Sequence, residues 1–216
     1  MQIVPPKKNE ALEQLLRHAH RRRYPAKTPI IQPGDTGDIL YYVIEGSVAV
    51  TMPNKVTDQD IVITYLNKGD FIGEMGVFMG VMPRDVRVVT REPTQLAEIG
   101  YVRLMQLLHN ELSEYAIEIM LGFGRQLSNR LLATTRKVGA LAFLDVTGRI
   151  AHTLAELCRL PEAMTHPEGM QIRITRQELG RIVGCSREMA GKVLKSLDDQ
   201  GVIKAKGKTI VVLGTR

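Results

Sequence analysis

Residues 175–197 read TRQELGRIVGCSREMAGKVLKSL, the pattern of a helix, a tight turn and a second helix. Thr175 and Glu178 form a Thr-x-x-Glu capping box that starts the first helix. Leu179, Ile182 and Val183 are its apolar stripe. Gly184-Cys185-Ser186 is the turn, where Gly184 supplies a permissive backbone and Ser186 caps the next helix. Ala190, Val193, Leu194 and Leu197 fall at i, i+3, i+4 and i+7 and so face inward. Arg187, Glu188, Gly191, Lys192 and Lys195 are left on the other face. Such a helix suits the major groove, since arginine bonds guanine O6 and N7 and a carboxylate accepts from cytosine N4. Alone, the same pattern also describes a helical hairpin with a solvated charged face.

Charge favours the first reading. The chain carries +6, and from Arg176 onward nine basic residues face four acidic ones, a net +5. A basic segment on a near-neutral remainder is the footprint of a nucleic-acid binder. Val202-Ile203 and Ile210-Val211-Val212 flank Lys206-Gly207-Lys208, a hairpin whose basic tip can touch phosphate. The candidate DNA-facing residues are Arg176, Gln177, Ser186, Arg187, Glu188, Lys192, Lys206 and Lys208. The absence of tryptophan and the low aromatic content argue against a single-strand stacking platform. No apolar run has transmembrane length and no secretory signal is present, so a reducing cytoplasm fits. Cys158 and Cys185 have no metal-ligand spacing.

The N-terminal part has a different texture. A helix is expected over 9–20, ending in Arg21-Arg22-Arg23. Short strands follow at 28–31, 40–44, 47–52, 61–66, 86–90 and 95–99, punctuated by glycine turns. Strands at this spacing indicate a jelly roll, and the fold class is α+β. A jelly-roll enzyme of the cupin type needs metal-ligating histidines on strands. His18 and His20 are placed on the leading helix instead, so catalysis and a metal site are not expected.

The middle is a long helix over 110–137. Ala116, Met120, Phe123, Leu127, Leu131, Thr134, Val138 and Leu141 form a heptad seam with one stutter. Such a stripe can pack on its own domain, but its length and its place between two domains favour a dimer coiled coil, with Met120, Phe123, Leu127 and Leu131 at the interface. Gly139 marks a hinge. The expected domains are 1–109, 110–138 and 139–216.

The β region also holds Gly69-Asp70-Phe71-Ile72-Gly73-Glu74-Met75-Gly76, followed by Pro83-Arg84. Glycines let backbone N–H groups converge on a phosphate. Glu74 can bond a ribose hydroxyl, and Arg84 can pair with a phosphate bidentately.

These runs, with Leu40-Tyr41-Tyr42-Val43, 142–149 and 163–167, resemble the catabolite activator (cyclic-AMP receptor) family of bacterial regulators over almost the whole chain. The resemblance implies a cyclic-nucleotide β-roll, a dimerising helix and a winged helix-turn-helix. It implies a homodimer that binds a palindromic double-stranded DNA site. Arg187, Glu188 and Lys192 match the family's base-reading positions, with lysine in place of arginine at the last. Ala163, Thr165, His166 and Gly169 match a surface loop that contacts RNA polymerase, and His20, Arg22 and Arg103 match a second activating patch. Gly73, Glu74, Arg84, Thr134 and Thr135 match the ligand set, and Thr64 and Asp85 are placed in the ligand site with them.

Asp85 departs from the pattern, standing where the family carries Ser or Thr as a phosphate donor. An ionised carboxylate repels a phosphate and cannot donate. Arg84 and Asp85 could pair in the empty pocket. A short insertion around 109–115 is a second departure. Both resemble a branch that responds to cyclic di-GMP, in which the dinucleotide lowers DNA affinity. The effector is therefore cyclic AMP or cyclic di-GMP. A cyclic-nucleotide-sensing module that does not bind DNA is the alternative, which the basic helix and wing oppose.

Overall fold

The computed structural model describes residues 10–53, 60–160 and 162–214. Their contacts cluster into two compact units, Met1–Ala133 and Thr134–Arg216.

The first unit opens with α1 (Glu10–Arg17) and β1 (His20–Tyr24). Then follow β2 (Pro29–Ile31), β3 (Ile39–Glu45), β4 (Ser47–Met52), β5 (Ile61–Asn67) and β6 (Phe71–Ile72). A short helix α2 (Glu74–Met79) precedes β7 (Arg87–Thr90) and β8 (Thr94–Gly100), and α3 (Tyr101–His109) follows directly. The strands form two four-stranded sheets in the orders β1-β8-β3-β6 and β2-β7-β4-β5, all antiparallel. This is the expected double-sheet roll.

The run Leu40-Tyr41-Tyr42-Val43 is apolar throughout because its sheet is covered on both faces. Tyr41 and Val43 enter the core between the sheets with Val48, Val88 and Leu96. Leu40 and Tyr42 turn to the helices and pack with Leu15, Leu104 and Phe123. Tyr101 belongs to this second core, and Glu74 is buried as well.

Several expectations are corrected. The first helix stops at Arg17, and His20-Arg21-Arg22-Arg23 is the exposed edge strand β1, not a helix tail. His20 is thus a strand residue. An edge strand keeps charge to discourage pairing with other chains, which erases the apolar alternation used to find strands. The long helix α4 spans Ala116–Phe143, later at both ends than expected. Asn110 is the C-cap of α3, and Ser113–Tyr115 is a 3-10 turn. Gly139 lies inside α4 and does not break it.

The second unit continues with α5 (Val146–Leu157), β9 (Met164–His166), β10 (Gly169–Arg173), α6 (Arg176–Val183), α7 (Arg187–Asp199), β11 (Ile203–Lys206) and β12 (Thr209–Leu213). Its sheet has the order β11-β12-β10-β9. Ile150, Leu154, Leu179, Ala190, Leu194, Ile203 and Ile210 form its core.

Candidate ligand site and nucleic-acid interface

In the first unit, Arg84 is held by its backbone first. Its N–H donates to the Asp35 carbonyl at 2.9 Å, and its own carbonyl accepts from Gly34 N–H at 2.8 Å. The guanidinium then donates through Nη2 to the Ile39 carbonyl at 2.7 Å and to Tyr101 Oη at 3.3 Å. The Tyr101 hydroxyl donates to the Gly73 carbonyl. Burial, the largest influence, pushes that hydroxyl above its ordinary range, so it remains a protonated donor.

The glycines make room for these side chains. Gly73 sits at φ 93°, and a Cβ there would lie 2.9 Å from Arg84 Nη2 and 2.8 Å from the Ile39 carbonyl. A Cβ on Gly76 would lie 2.4 Å from the Tyr101 hydroxyl oxygen. In this structure, then, the Gly-rich run seats an arginine and a tyrosine against the backbone.

Glu74 is fully buried. Its Oε1 pairs with Arg130 of α4, which also donates to the Phe71 carbonyl. Its Oε2 has no hydrogen-bond donor among the described residues. Gln126, one turn before Arg130, brackets the Phe71 peptide, accepting from its N–H at 2.7 Å and donating to its carbonyl at 2.9 Å. Sequence reading missed Gln126, Arg130 and Tyr101. A four-residue spacing of polar groups on a helix puts them on one face but does not say what that face meets.

Of the expected ligand residues, Gly73, Glu74 and Arg84 are brought together. Thr64 lies on β5 in the other sheet, half-buried, with its hydroxyl on the Tyr65 carbonyl at 3.2 Å. Thr134 and Thr135 are exposed on α4 in the second unit. Asp85 is exposed. The expected Arg84–Asp85 pair does not form among the described residues, because Ile39 and Tyr101 hold the guanidinium.

The helix-turn-helix is built as its sequence indicates. The Thr175 hydroxyl accepts from Glu178 N–H at 3.0 Å, and Ser186 Oγ accepts from Met189 N–H at 3.1 Å. Gly184 takes φ 77°, the left-handed conformation that ends α6. Gly180 is a second requirement, because a Cβ there would lie 2.7 Å from the Cys185 carbonyl. Ala190, Val193, Leu194 and Leu197 are buried, while Arg187, Glu188, Lys192 and Lys195 are exposed. Hydrogen bonds from its own backbone and from Ser186 hold Glu188 below the usual carboxylate range, so it stays an acceptor. Arg176 and Gln177 are exposed at the start of α6, with the Arg176 stem against Gly191. Lys206 pairs with Thr209, leaving Gly207-Lys208 as a two-residue turn with Gly207 at φ 64°. Both lysines are exposed.

The remaining expected contacts fare unequally. The 163–169 segment is a hairpin, not a loop, with β9 paired to β10. Thr165 is exposed, His166 Nδ1 accepts from Glu168 N–H at 3.2 Å, and Ala163 packs on the core. Gly169 is buried, since its Cβ position is 2.0 Å from the Val212 carbonyl, and so it is not a surface contact. His20 and Arg22 share one face of β1, with Arg22 5.1 Å from the Tyr24 ring centre. Arg103 pairs with Glu111 at 3.3 Å.

Phe123 is not at a subunit surface. It is fully buried within its own unit and meets Phe71 edge-on at 4.8 Å. Met120 packs on the same core, and Leu127 is half-buried. Leu131 is 69% exposed. A second seam lies one residue on: Ile117, Leu121, Gly124, Ser128, Leu131, Thr135 and Val138 step 4-3-4-3-4-3 without a stutter. Of these only Gly124 is half-buried; the rest are exposed.

An arginine beside a buried carboxylate in a β-roll, and a winged helix-turn-helix with a basic outer face, define a ligand-sensing, DNA-binding regulator. Comparison with known proteins agrees. The cyclic nucleotide-binding domain family matches residues 21–111, and the Crp-like helix-turn-helix domain matches residues 148–215. The CRP-like protein Clp of Xanthomonas axonopodis pv. citri is 52% identical over 205 residues, 95% of this chain and 89% of that protein. A solved structure of CLP, the c-di-GMP-responsive global regulator linking cell–cell signalling to virulence gene expression in Xanthomonas campestris, has a TM-score of 0.89 at 52% identity. It covers 95% of this chain and 99% of that one. A CRP/FNR-family regulator of Thermus thermophilus, at 23% identity, TM-score 0.71, and 90% and 93% coverage, shares the fold. The chain belongs to the CRP/FNR family of transcription regulators. Among the described residues no helix is long and apolar enough to cross a membrane, and no cluster of His, Cys, Asp or Glu could hold a metal.

Proposed function

We propose that the chain acts in the cytoplasm as a homodimer on a palindromic DNA site, and that cyclic di-GMP bound at Arg84 and Glu74 lowers its DNA affinity. The observation that carries the ligand reading is Oε2 of Glu74, which no donor reaches among the described residues. A buried carboxylate oxygen without a partner is costly, and a ribose hydroxyl from a cyclic nucleotide supplies the missing donor. Arg84 uses only Nη2 among the described residues, which leaves its Nη1 and Nε N–H groups for a phosphate.

Two facts favour the dinucleotide over cyclic AMP. Asp85, where the family carries Ser or Thr, is a departure that resembles the c-di-GMP-responsive branch, and the CLP relative is c-di-GMP-responsive. Polymerase contact falls to Thr165 and His166 on the β9–β10 hairpin and to His20, Arg22 and Arg103. Thr64, Thr134 and Thr135 stay with the ligand set.

Calorimetric titration of the parent and Asp85→Ser with both nucleotides tests the effector. The parent should bind cyclic di-GMP more tightly than cyclic AMP, and the gap should narrow in Asp85→Ser. A parent that prefers cyclic AMP rejects the dinucleotide. Glu74→Gln and Arg84→Ala that bind as the parent does reject the site.

A further inference from the structure

Arg149 stands at the wrong end of its helix. It lies in the first turn and a half of α5, where the helix dipole disfavours a cation. Asp145 caps that end, its Oδ1 accepting from Gly148 N–H at 2.7 Å. The DNA interface above makes no use of Arg149.

Its partners explain its place. Nη1 donates to the Leu144 carbonyl at 3.0 Å. Leu144 directly follows α4, and its own N–H closes the last turn on the Ala140 carbonyl at 2.9 Å. Nε donates to the carbonyl of Val183, the last residue of α6, at 3.3 Å. The guanidinium is also close enough to Cys185, in the turn before α7, to act on its thiol electrostatically. The last carbonyls of a helix lack intrahelical donors and sit at the negative end of its dipole. One half-buried cation therefore serves two foreign helix ends at once.

We infer that Arg149 is a positioning residue, clamping the end of the long helix α4 to the end of α6 so that the helix-turn-helix keeps a fixed angle to the last turns of α4, beyond Thr134. All the groups involved lie in the second unit. Arginine suits the task because its rigid fork presents N–H groups to two acceptors, whereas a lysine ammonium is a point charge on a flexible stem. The inference concerns how the reading head is held and is independent of the effector.

Hydrogen exchange read by mass spectrometry on the full chain tests it, with the parent, Arg149→Ala and Arg149→Lys below their melting temperatures. In Arg149→Ala, peptides covering 140–145 and 180–186 should lose protection together, by about tenfold or more, because two charge-assisted bonds go at once. Peptides within α7 should keep theirs. Arg149→Lys should recover one segment, not both. Unchanged protection in both segments, or loss spread evenly over the whole second unit, overturns the clamp.

A second measurement reads the consequence for DNA. The parent should prefer a palindrome with half-sites about one turn apart over the same half-sites moved by one base pair. Arg149→Ala should lose most of that preference while still binding one half-site as the parent does. A mutant that keeps the parent's preference refutes the positioning role. A parent with no preference would count against the dimer reading, and the exchange result would still decide on Arg149.

Discussion

At the scale of single residues, the site contains one buried charge with an incomplete set of partners. Removing Arg130 leaves the Glu74 carboxylate buried and uncompensated, which costs about 3–5 kcal/mol. Arg130→Met should therefore lower the urea midpoint of the first unit strongly. A loss below about 1 kcal/mol would show that water or another donor already serves Glu74. Asp85 is a smaller matter. Because it is exposed, its field on a phosphate ~4 Å away is screened almost as in water, about 1 kcal/mol. Asp85→Ser should then tighten cyclic AMP binding by about fivefold, plus whatever the new hydroxyl adds. Equal calorimetric affinities would place Asp85 outside the site. Glu74 and Arg84 were legible in the sequence because a carboxylate and an arginine follow a glycine run there. Tyr101 and Arg130 were not, since nothing local to either residue reveals the distant backbone that each one touches.

At the scale of elements, the two seams of α4 separate two kinds of damage. Phe123→Ala should cost about 3–5 kcal/mol of unfolding free energy, as any large core truncation does, without altering the association state. Leu121→Glu should leave the fold intact and yield monomers in sedimentation, because a two-fold contact repeats the defect. A dimeric Leu121→Glu protein would move the interface elsewhere. Periodicity alone could not rank the seams, for both carry apolar residues at heptad spacing and only packing shows which is already spent. The recognition motif was legible almost whole, because capping boxes, a turn glycine and a 3.6-residue stripe are local signals. The edge strand β1 hid behind its charges, and α2 and β6 are too short to show a period.

At the scale of the whole molecule, charge is the dominant pattern. Most of the net +6 lies beyond residue 175, in the part that carries α6, α7 and the wing. DNA affinity should fall steeply with salt, and Lys206→Ala should reduce the slope by about 1 while weakening all sequences alike. Arg187→Ala should instead cost about 1–3 kcal/mol on the preferred sequence only. Titrations in which the two mutants behave identically would erase the distinction between base reader and phosphate contact. Composition and charge set the basic segment beyond residue 175 apart from a near-neutral remainder. They could not give the division inside α4, between Ala133 and Thr134, because a continuous helix offers no turn residue to mark it.

Gln126 has a meaning beyond the candidate ligand site. Strand β6 ends its sheet, and Phe71 turns both its N–H and its carbonyl away from β3. The Gln126 amide fills both, donor to acceptor and acceptor to donor, as the next strand would. The side chain is thus a one-residue counterfeit strand that closes an edge otherwise open to recruitment. Arg130 still reaches the Phe71 carbonyl when that amide is gone, so a full-length Gln126→Ala protein bares the Phe71 N–H alone and should self-associate slowly through strand addition at β6, seen as higher-mass species in sedimentation.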